Sequence, residues 1–175
     1  PIYTSATVDA SNNVIIGNGS YMDGSLNYLD GITGDILWQQ SYGEQDGPFY
    51  NTVAVNGDTI YLSNIAYLYA IDRVTGLQKW KYLSENCYYT SPVIDADGII
   101  YLAGINTSIY EKSNHATIMA IRDLGTSAED YWPSYDSGVA YERFAPPVIG
   151  NNRTIYISSS SNVNSNAGSK IYAFQ

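Results

Sequence analysis

The stretch Ala70-Ile-Asp-Arg-Val-Thr-Gly-Leu-Gln-Lys-Trp80 decides the fold, because its pattern occurs a second time in the chain. The other copy is Tyr28-Leu-Asp-Gly-Ile-Thr-Gly-Asp-Ile-Leu-Trp38, so that Asp, Thr-Gly and Trp recur at the same spacing. A weaker third copy ends at Trp132, with Arg122 in the Asp position and a longer spacing before the tryptophan. The tryptophans lie 42 and 52 residues apart. A period of this length predicts a chain of similar supersecondary units.

Each unit also contains extended runs rich in β-branched and aromatic residues, separated by Gly, Asp and Asn. In the run Thr59–Ser63, Ile60 and Leu62 fall on one face, as strand alternation requires. No helical stripe of useful length is present. Such runs occur at 13–17, 58–63, 97–103 and 153–158, each with a strand-like run before and after it. Together with the tryptophan strand they make four-stranded antiparallel blades, and the sequence therefore predicts an all-β protein, a β-propeller.

The repeat predicts a single propeller, or part of one, with blades at approximately 1–47, 48–87, 88–142 and 143–175. The last blade lacks its fourth strand, which gives about 3¾ blades. A third strand without a neighbour has an open hydrogen-bonding edge that invites another strand. The residues of this edge are Ile171, Tyr172, Ala173 and Phe174. We expect a strand from another chain, or from a part of the protein outside this sequence, to pair with it.

The Asp-x-x-Thr-Gly-x-x-x-Trp pattern resembles the tryptophan-docking motif of PQQ-like propeller repeats. That family includes quinoprotein dehydrogenases and non-enzymatic relatives such as the outer-membrane assembly lipoprotein of the BamB type. The pattern has a structural explanation: Thr-Gly makes a tight turn, Asp bonds the turn's amides, and Trp supplies an apolar plate between blades. The residues in these structural roles are Asp30, Thr33, Gly34, Trp38, Asp72, Thr75, Gly76, Trp80 and Trp132.

The composition limits the partners. The 175 residues include 17 acidic and 8 basic side chains, a net charge of −9, which argues against nucleic acid and against a polybasic membrane contact. No apolar run approaches the roughly 18 residues of a membrane span. Polarity comes from Ser, Thr, Asn and Tyr, which together number 63. This composition favours an extracellular, cell-surface or periplasmic location.

Residues that carry chemistry are scarce. Cys87 has no neighbouring cysteine, so the vicinal pair of the family's quinone enzymes is absent and we expect no cofactor. His115, the single histidine, lies in a polar stretch interpreted as a loop. One His and one Cys cannot form a nitrogen and sulfur metal cluster. We therefore assign no catalytic, cofactor-binding or metal-binding residue.

A binding surface is predicted where the long loops of neighbouring blades open on one face. Tyrosines beside carboxylates suit a peptide or a sugar. The candidate residues are Tyr21, Tyr88, Tyr89, Tyr110, Tyr141, Glu85, Asp136 and Glu142. Sequons at Asn18, Asn106 and Asn152 are candidate glycosylation sites, all three expected in loops or turns.

The sequence thus favours a non-catalytic propeller module that acts as a protein-interaction or assembly scaffold, with self-association or a protein partner. Two alternatives stay open. The chain could be a fragment of a quinoprotein-like dehydrogenase or other propeller enzyme, or a carbohydrate-binding surface protein.

Overall fold

The computed structural model describes residues 4–19, 24–42, 49, 51–64, 67–83, 87–106, 115–140, 142–161 and 168–175. Within these ranges the chain forms strands and turns and no helix, which confirms the all-β prediction. The strands are β1 (Thr7–Val8), β2 (Val14–Gly19), β3 (Gly24–Leu29), β4 (Ile36–Tyr42), β5 (Ala54–Asn56), β6 (Thr59–Ser63), β7 (Tyr67–Asp72), β8 (Gln78–Leu83), β9 (Cys87–Tyr89), β10 (Val93–Ile94), β11 (Ile99–Asn106), β12 (His115–Asp123), β13 (Ala128–Ala140), β14 (Glu142–Phe144), β15 (Val148–Ile149), β16 (Ile155–Ser161) and β17 (Lys170–Phe174).

The strands form four antiparallel sheets in chain order, which we call the first to fourth blades. The first blade is β1-β2-β3-β4 and the second is β5-β6-β7-β8. The third has the order β10-β11-β12-β13, with β9 beside β10 on the same edge of β11. In the fourth blade β14 and β15 share one edge of β16, and β17 pairs with the other edge. The fourth blade therefore has three strand positions in the described residues, whereas the others have four.

One cross-strand row repeats in every blade and shows that the four sheets are copies of one unit. The row crosses the blade from its first strand to its tryptophan strand, and in the fourth blade it stops at the third strand. The rows are Thr7–Ile15–Tyr28–Trp38, Ala54–Tyr61–Ala70–Trp80, Val93–Tyr101–Ala120–Trp132 and Val148–Tyr156–Ala173.

A bulge precedes each tryptophan. Tyr28 pairs with Trp38 but Leu29 pairs with Ile36, which leaves Leu37 as the extra residue, and the same shift occurs beside Trp80 and Trp132. A bulge bends its strand and changes the direction of the side chains next to it. The three fourth strands therefore share the local irregularity that accompanies their tryptophans.

The core lies between the blades. In β6 and β7 of the second blade, Ile60 and Ile71 belong to the apolar cluster shared with the first blade, and Tyr61 and Leu68 belong to the cluster shared with the third. A third cluster joins the third and fourth blades around Ile118. A sheet buried on both faces loses the apolar and polar alternation of a surface sheet. Every residue of β6 is accordingly buried.

Several residues that the sequence analysis placed in loops lie in strands. His115 begins β12. The strand β13 contains a proline, Pro133, at a point where the pairing with β12 is irregular. Proline is tolerated there because β13 is an edge strand with a shifted register. The prediction that all three sequons lie in loops or turns is wrong: Asn18 lies in β2 and Asn106 ends β11, because these hairpins extend further than their turn-forming residues suggest, while Asn152 lies in a turn.

Candidate functional site

Each of the first two tryptophans bonds to one position of the following blade. The Trp38 indole Nε1 donates to the carbonyl oxygen of Arg73 at 2.9 Å, and the Trp80 Nε1 donates to Asp123 Oδ1 at 2.7 Å. Arg73 and Asp123 occupy equivalent positions. Asp72 pairs with Thr59 and Arg122 pairs with Ile99 where the second strand of each blade begins, and Arg73 and Asp123 are the residues that follow. The residue directly after the third strand's last pair with the second strand, Arg73 or Asp123, therefore accepts the hydrogen bond from the preceding blade's tryptophan.

The second-blade turn that receives Trp38 is built by its own aspartate. Asp72 Oδ1 accepts hydrogen bonds from the backbone N–H of Thr75 at 2.8 Å and of Val74 at 3.1 Å, and the Thr75 bond is the main reason that the pKa of Asp72 is lowered. Gly76 has a φ of +73°, and a Cβ there would lie 2.9 Å from two ring atoms of Trp38. The Thr-Gly turn is thus shaped to receive the indole.

The first-blade turn is built in the same way. Asp30 Oδ1 accepts from the N–H groups of Ile32 and Thr33, both at 2.8 Å, and the Thr33 bond is the first cause of the lowered Asp30 pKa. Gly34 takes a φ of +77° and has open space around it.

The third-blade turn uses an aspartate one residue later. Asp123 accepts from the Gly125 N–H at 2.6 Å, from the Trp80 indole, and from the Tyr61 hydroxyl at 2.7 Å. Burial and then the bond to Asp123 raise the pKa of Tyr61. The motif reveals the loss of Asp at position 122 but not its replacement by Asp123, because the replacement lies one residue outside the motif's fixed spacing.

A charged network ties the first two blades together at the same position. The Arg73 Nη1 lies 2.6 Å from Asp9 Oδ2 and 2.8 Å from the Tyr28 hydroxyl, and Nη2 lies 2.7 Å from Asp58 Oδ1. The side chain of Asp9 is 1% exposed. Burial raises the pKa of Asp9, but hydrogen bonds from Tyr28, from the backbone and from Arg73 outweigh it, so the pKa is lowered.

The third tryptophan differs from the other two. Like Trp38, Trp132 is partly buried, and it stacks on Phe174 with ring centroids 6.3 Å apart, but its indole N–H alone of the three has no acceptor within the described ranges. Gln175 occupies the position of Asp72, because each lies two residues after the alanine of the repeated row, Ala173 or Ala70. Its Nε2 donates to Thr154 Oγ1 at 3.2 Å. The position that would correspond to Arg73 and Asp123 comes after Gln175.

A groove of about 490 Å³ opens beside Trp132, between the third and fourth blades. Its wall is aromatic, and it carries one cation. The residues that define it are Tyr101, Trp132, Tyr135, Phe174 and Arg153. Arg153 makes an ion pair with Asp97 across the two blades. The turn of the second blade packs on Trp38, and the turn of the third blade packs on Trp80. The groove beside Trp132 is the place where a turn of the fourth blade would make the same contact.

The outer side of the fourth blade is open as well. No strand in the described part of the chain pairs with the free edge of β17. Ile171 is 79% exposed, whereas Leu68, its equivalent in the second blade, is fully buried. We define the open side as the β17 edge, the Trp132 groove and the exposed face around Ile171.

The predicted loop-face residues do not come together as one described surface. Tyr21, Glu85, Tyr110 and Tyr141 lie outside the described residues, and Tyr88 and Tyr89 are described only as backbone in β9. Asp136 is exposed and pairs with His115 Nδ1 at 3.2 Å.

Glu142 is fully buried and is therefore not part of an exposed binding face. It accepts hydrogen bonds from Ser159 Oγ and, at 3.0 Å, from the Tyr172 hydroxyl. Burial and this bond raise the pKa of Tyr172 to about 12. Its carboxylate serves the packing of the fourth blade.

In the described ranges no cluster of three or more His, Cys, Asp and Glu side chains is arranged to hold a metal ion. No helix with the length and apolar character of a membrane span occurs in the same ranges.

Comparison with solved structures identifies the class of fold. The chain is similar to hydrazine synthase of Kuenenia stuttgartiensis (TM-score 0.69, 12% identity, 89% of this chain and 51% of that one). It is similar to the Pan2 WD40 domain of Neurospora crassa (0.67, 14%, 98% and 49%) and to the Dos1 propeller (0.62, 12%, 91% and 42%). No family model and no curated protein matches the sequence.

These similarities, together with the four repeated sheets, confirm that the fold is a partial β-propeller. The chain spans about half the length of the solved structures named above. At identities of 12 to 14% the comparisons establish the fold alone.

Proposed function

We propose that this protein is a non-catalytic propeller module that serves as an interaction and assembly scaffold, in which a strand from a partner chain completes the fourth blade. The observation that carries the proposal is the pairing of two unfilled features side by side: the free edge of β17 and the groove in which the Trp132 indole N–H lacks an acceptor in the described structure. A partner strand that adds to an exposed edge gains main-chain hydrogen bonds, and pockets beside the edge give specificity.

The earlier blades define what the partner strand must contain. It needs an acceptor at the position of Arg73 or Asp123, a tight turn that packs on the indole as Gly76 packs on Trp38, and an extended run that pairs with β17 as β8 pairs with β7. The Thr-Gly turn followed by a Trp strand meets all three requirements. The expected ligand is therefore an extended segment of that kind.

The same pattern supports assignment of the repeats to the PQQ-like type, with a structural use of the motif. Its support is the recurrence of Asp, Thr-Gly and Trp at Asp30 to Trp38 and Asp72 to Trp80, with one contact geometry at both turns. We further place the module outside the cytoplasm, at the cell surface or in the periplasm, because its polarity comes from hydroxyl and amide side chains and little from Lys and Glu.

A peptide copy of the chain's own fourth strand tests the proposal. The peptide comprises residues 73–83, which contain the Thr-Gly part of the turn, the bulge and β8, while Gln175 of the protein takes the position of Asp72. We expect saturable binding to the intact 175-residue protein in isothermal titration calorimetry. Absence of saturation up to about 1 mM, where binding would contribute only about 4 kcal/mol, would contradict the proposal.

Two controls make the result specific. A peptide with the same residues in scrambled order should not bind, because it cannot form the turn. The substitution Trp132→Ala should weaken binding of the native peptide, whereas Ile32→Ala, on an exposed turn of the first blade, should leave it unchanged.

A further inference from the structure

Among the described residues, the apolar clusters between blades use the same two faces. We call the side of a blade toward the next blade its outgoing face and the side toward the preceding blade its incoming face. In the second blade the outgoing face contains Tyr61, Leu68 and Ala70, which cluster with Ile100 and Ile121 on the incoming face of the third blade. The same combination occurs at all three boundaries.

The outgoing face of the fourth blade has no partner in the described structure. Its side chains correspond in register to buried ones of the second blade: Tyr156 to Tyr61 and Ile171 to Leu68. Tyr156 is 42% exposed and Ile171 79%, while Tyr61 and Leu68 are 3% and 0% exposed. Val148, in the same cross-strand row as Tyr156, is 64% exposed. An apolar sheet face of this kind marks an interaction surface.

The incoming face of the first blade is the complementary surface. Its pair Val14 and Leu29 corresponds to Ile60 and Ile71 of the second blade, which are both fully buried. In the first blade Val14, Ile16 and Leu29 are only half-buried.

Polar side chains of this incoming face already hydrogen-bond within their own blade, and Ser25 Oγ donates to Asn18 Oδ1. Asn27 stands where the second blade has Tyr69, and it hydrogen-bonds to Gln39 and to the carbonyl oxygen of Ile16 within its own blade. Covering the face would therefore not leave this amide without partners.

We infer that the partner of this scaffold is a second copy of the chain, with the outgoing face of each fourth blade packed on the incoming face of the other copy's first blade. The inference rests on the proposed scaffold function and names the partner of the open face. The added strand is a separate contact, because β4, β8 and β13 of a copy are each paired within their own blades. Head-to-tail contacts close into a ring when the rotation permits. Propellers typically have four to eight blades, and two copies of these four sheets supply eight.

Sedimentation velocity on the intact chain from about 1 to about 100 µM tests the inference. We expect a species of twice the 19.2 kDa chain mass. Ile171→Glu and Ile16→Glu should each shift the protein to a single-chain mass, because each places a charge in both contacts of the ring. Ile32→Glu is the matched control, since Ile32 is 94% exposed on a turn and belongs to neither face.

Mixing the two variants identifies which faces meet. Ile171→Glu retains a competent incoming face and Ile16→Glu a competent outgoing face, so the mixture should regain a dimer with one intact contact. Circular dichroism verifies folding, and Ile16→Thr, which keeps a β-branched side chain, replaces Ile16→Glu if that variant is unfolded.

Two results would overturn the inference. The first is a single-chain mass of the unmodified protein over the whole range. The second is a dimer that Ile171→Glu abolishes but Ile16→Glu and Ile16→Thr leave intact, since this would mean contact between two fourth blades. Either can occur while the peptide of residues 73–83 still binds, in which case the proposed strand addition stands and only the self-association through these two faces falls.

Discussion

The indole Nε1 of Trp38 lies 2.9 Å from the carbonyl oxygen of Arg73 and joins the outermost strand of the first blade to the turn of the second. The side chain of Arg73 returns to the first blade, to Asp9 and Tyr28. A single position after the third strand therefore supplies both the acceptor for the preceding tryptophan and a cross-blade polar contact. Asp123 combines the same two tasks for Trp80 and Tyr61.

Truncating the tryptophans should reveal the difference between a filled and an unfilled boundary. Trp80 is 5% exposed and bonded to Asp123, so Trp80→Ala should destabilise the isolated chain by about 3–5 kcal/mol. Trp132→Ala should cost about 1–2 kcal/mol, because its ring is only partly buried. Urea unfolding monitored by circular dichroism measures both. Equal losses would show that the third boundary is as well packed as the second.

The two Thr-Gly turns provide a matched pair of glycine substitutions. Gly34→Ala should cost about 1–2 kcal/mol, the penalty of a left-handed backbone at an open site. Gly76→Ala carries the same penalty and in addition forces its Cβ against Trp38, which should add about 1–3 kcal/mol. Thermal unfolding of the two variants compares them directly. A Gly76→Ala no less stable than Gly34→Ala would mean that the indole does not pack on the turn.

Removing the arginine of the cross-blade network should leave a buried carboxylate without its cation. Asp9 is 1% exposed and Arg73 is 18% exposed, so Arg73→Met should destabilise the protein at pH 7 by about 3 kcal/mol, the lower end of the range for a broken buried pair. Denaturant unfolding at neutral pH gives the value. A loss below about 1 kcal/mol, typical of an exposed pair, would contradict this interpretation.

The same pair predicts a pH dependence of defined sign. The folded-state pKa of Asp9 is lowered below its unfolded value. Its contribution to stability is therefore present above the unfolded pKa of about 3.9 and is lost as the pH falls through the folded pKa. Asp9→Asn should flatten the acid limb of the stability profile, and NMR titration of the Asp9 carboxyl should give a higher pKa in Arg73→Met than in the unmodified protein.

The pKa of Tyr172 reports on the buried carboxylate of Glu142 in the fourth blade. Burial and the bond to Glu142 hold the pKa of Tyr172 at about 12. Glu142→Gln removes the negative charge but keeps the size of the side chain, so the pKa should fall toward the ordinary value near 10 while staying above it. NMR titration of ring-labelled tyrosine follows this group. An unchanged pKa would show that Glu142 does not contact the hydroxyl in solution.

The architecture was accessible from the sequence because its determinants are local and repeated. Thr75-Gly76 and Thr33-Gly34 specify the turns through backbone conformation, and Trp38 and Trp80 stand at a fixed distance from them. The strand period of two assigns Ile60 and Leu62 to one face of the second blade and Tyr61 to the other. These features can be predicted from one repeat alone, without the residues of the neighbouring blade.

The details of the open side were not accessible in the same way. The replacement of Asp at position 122 by Asp123 depends on a shifted turn, and the inclusion of Pro133 in β13 depends on irregular pairing with β12. Glu142 looked like a surface carboxylate, because its two donors, Ser159 and Tyr172, come from distant strands. Contacts of this kind depend on packing between strands that are distant in sequence, so a local sequence pattern does not predict them.

The central claim, that the open side receives an added strand, is tested most directly at the indole N–H of Trp132. In a proton–nitrogen NMR spectrum, addition of the peptide of residues 73–83 should move the Trp132 Hε1 resonance downfield and slow its exchange with water. The amides of β17 on its free edge should gain protection at the same time. Unchanged indole and β17 signals at saturating peptide would contradict the account.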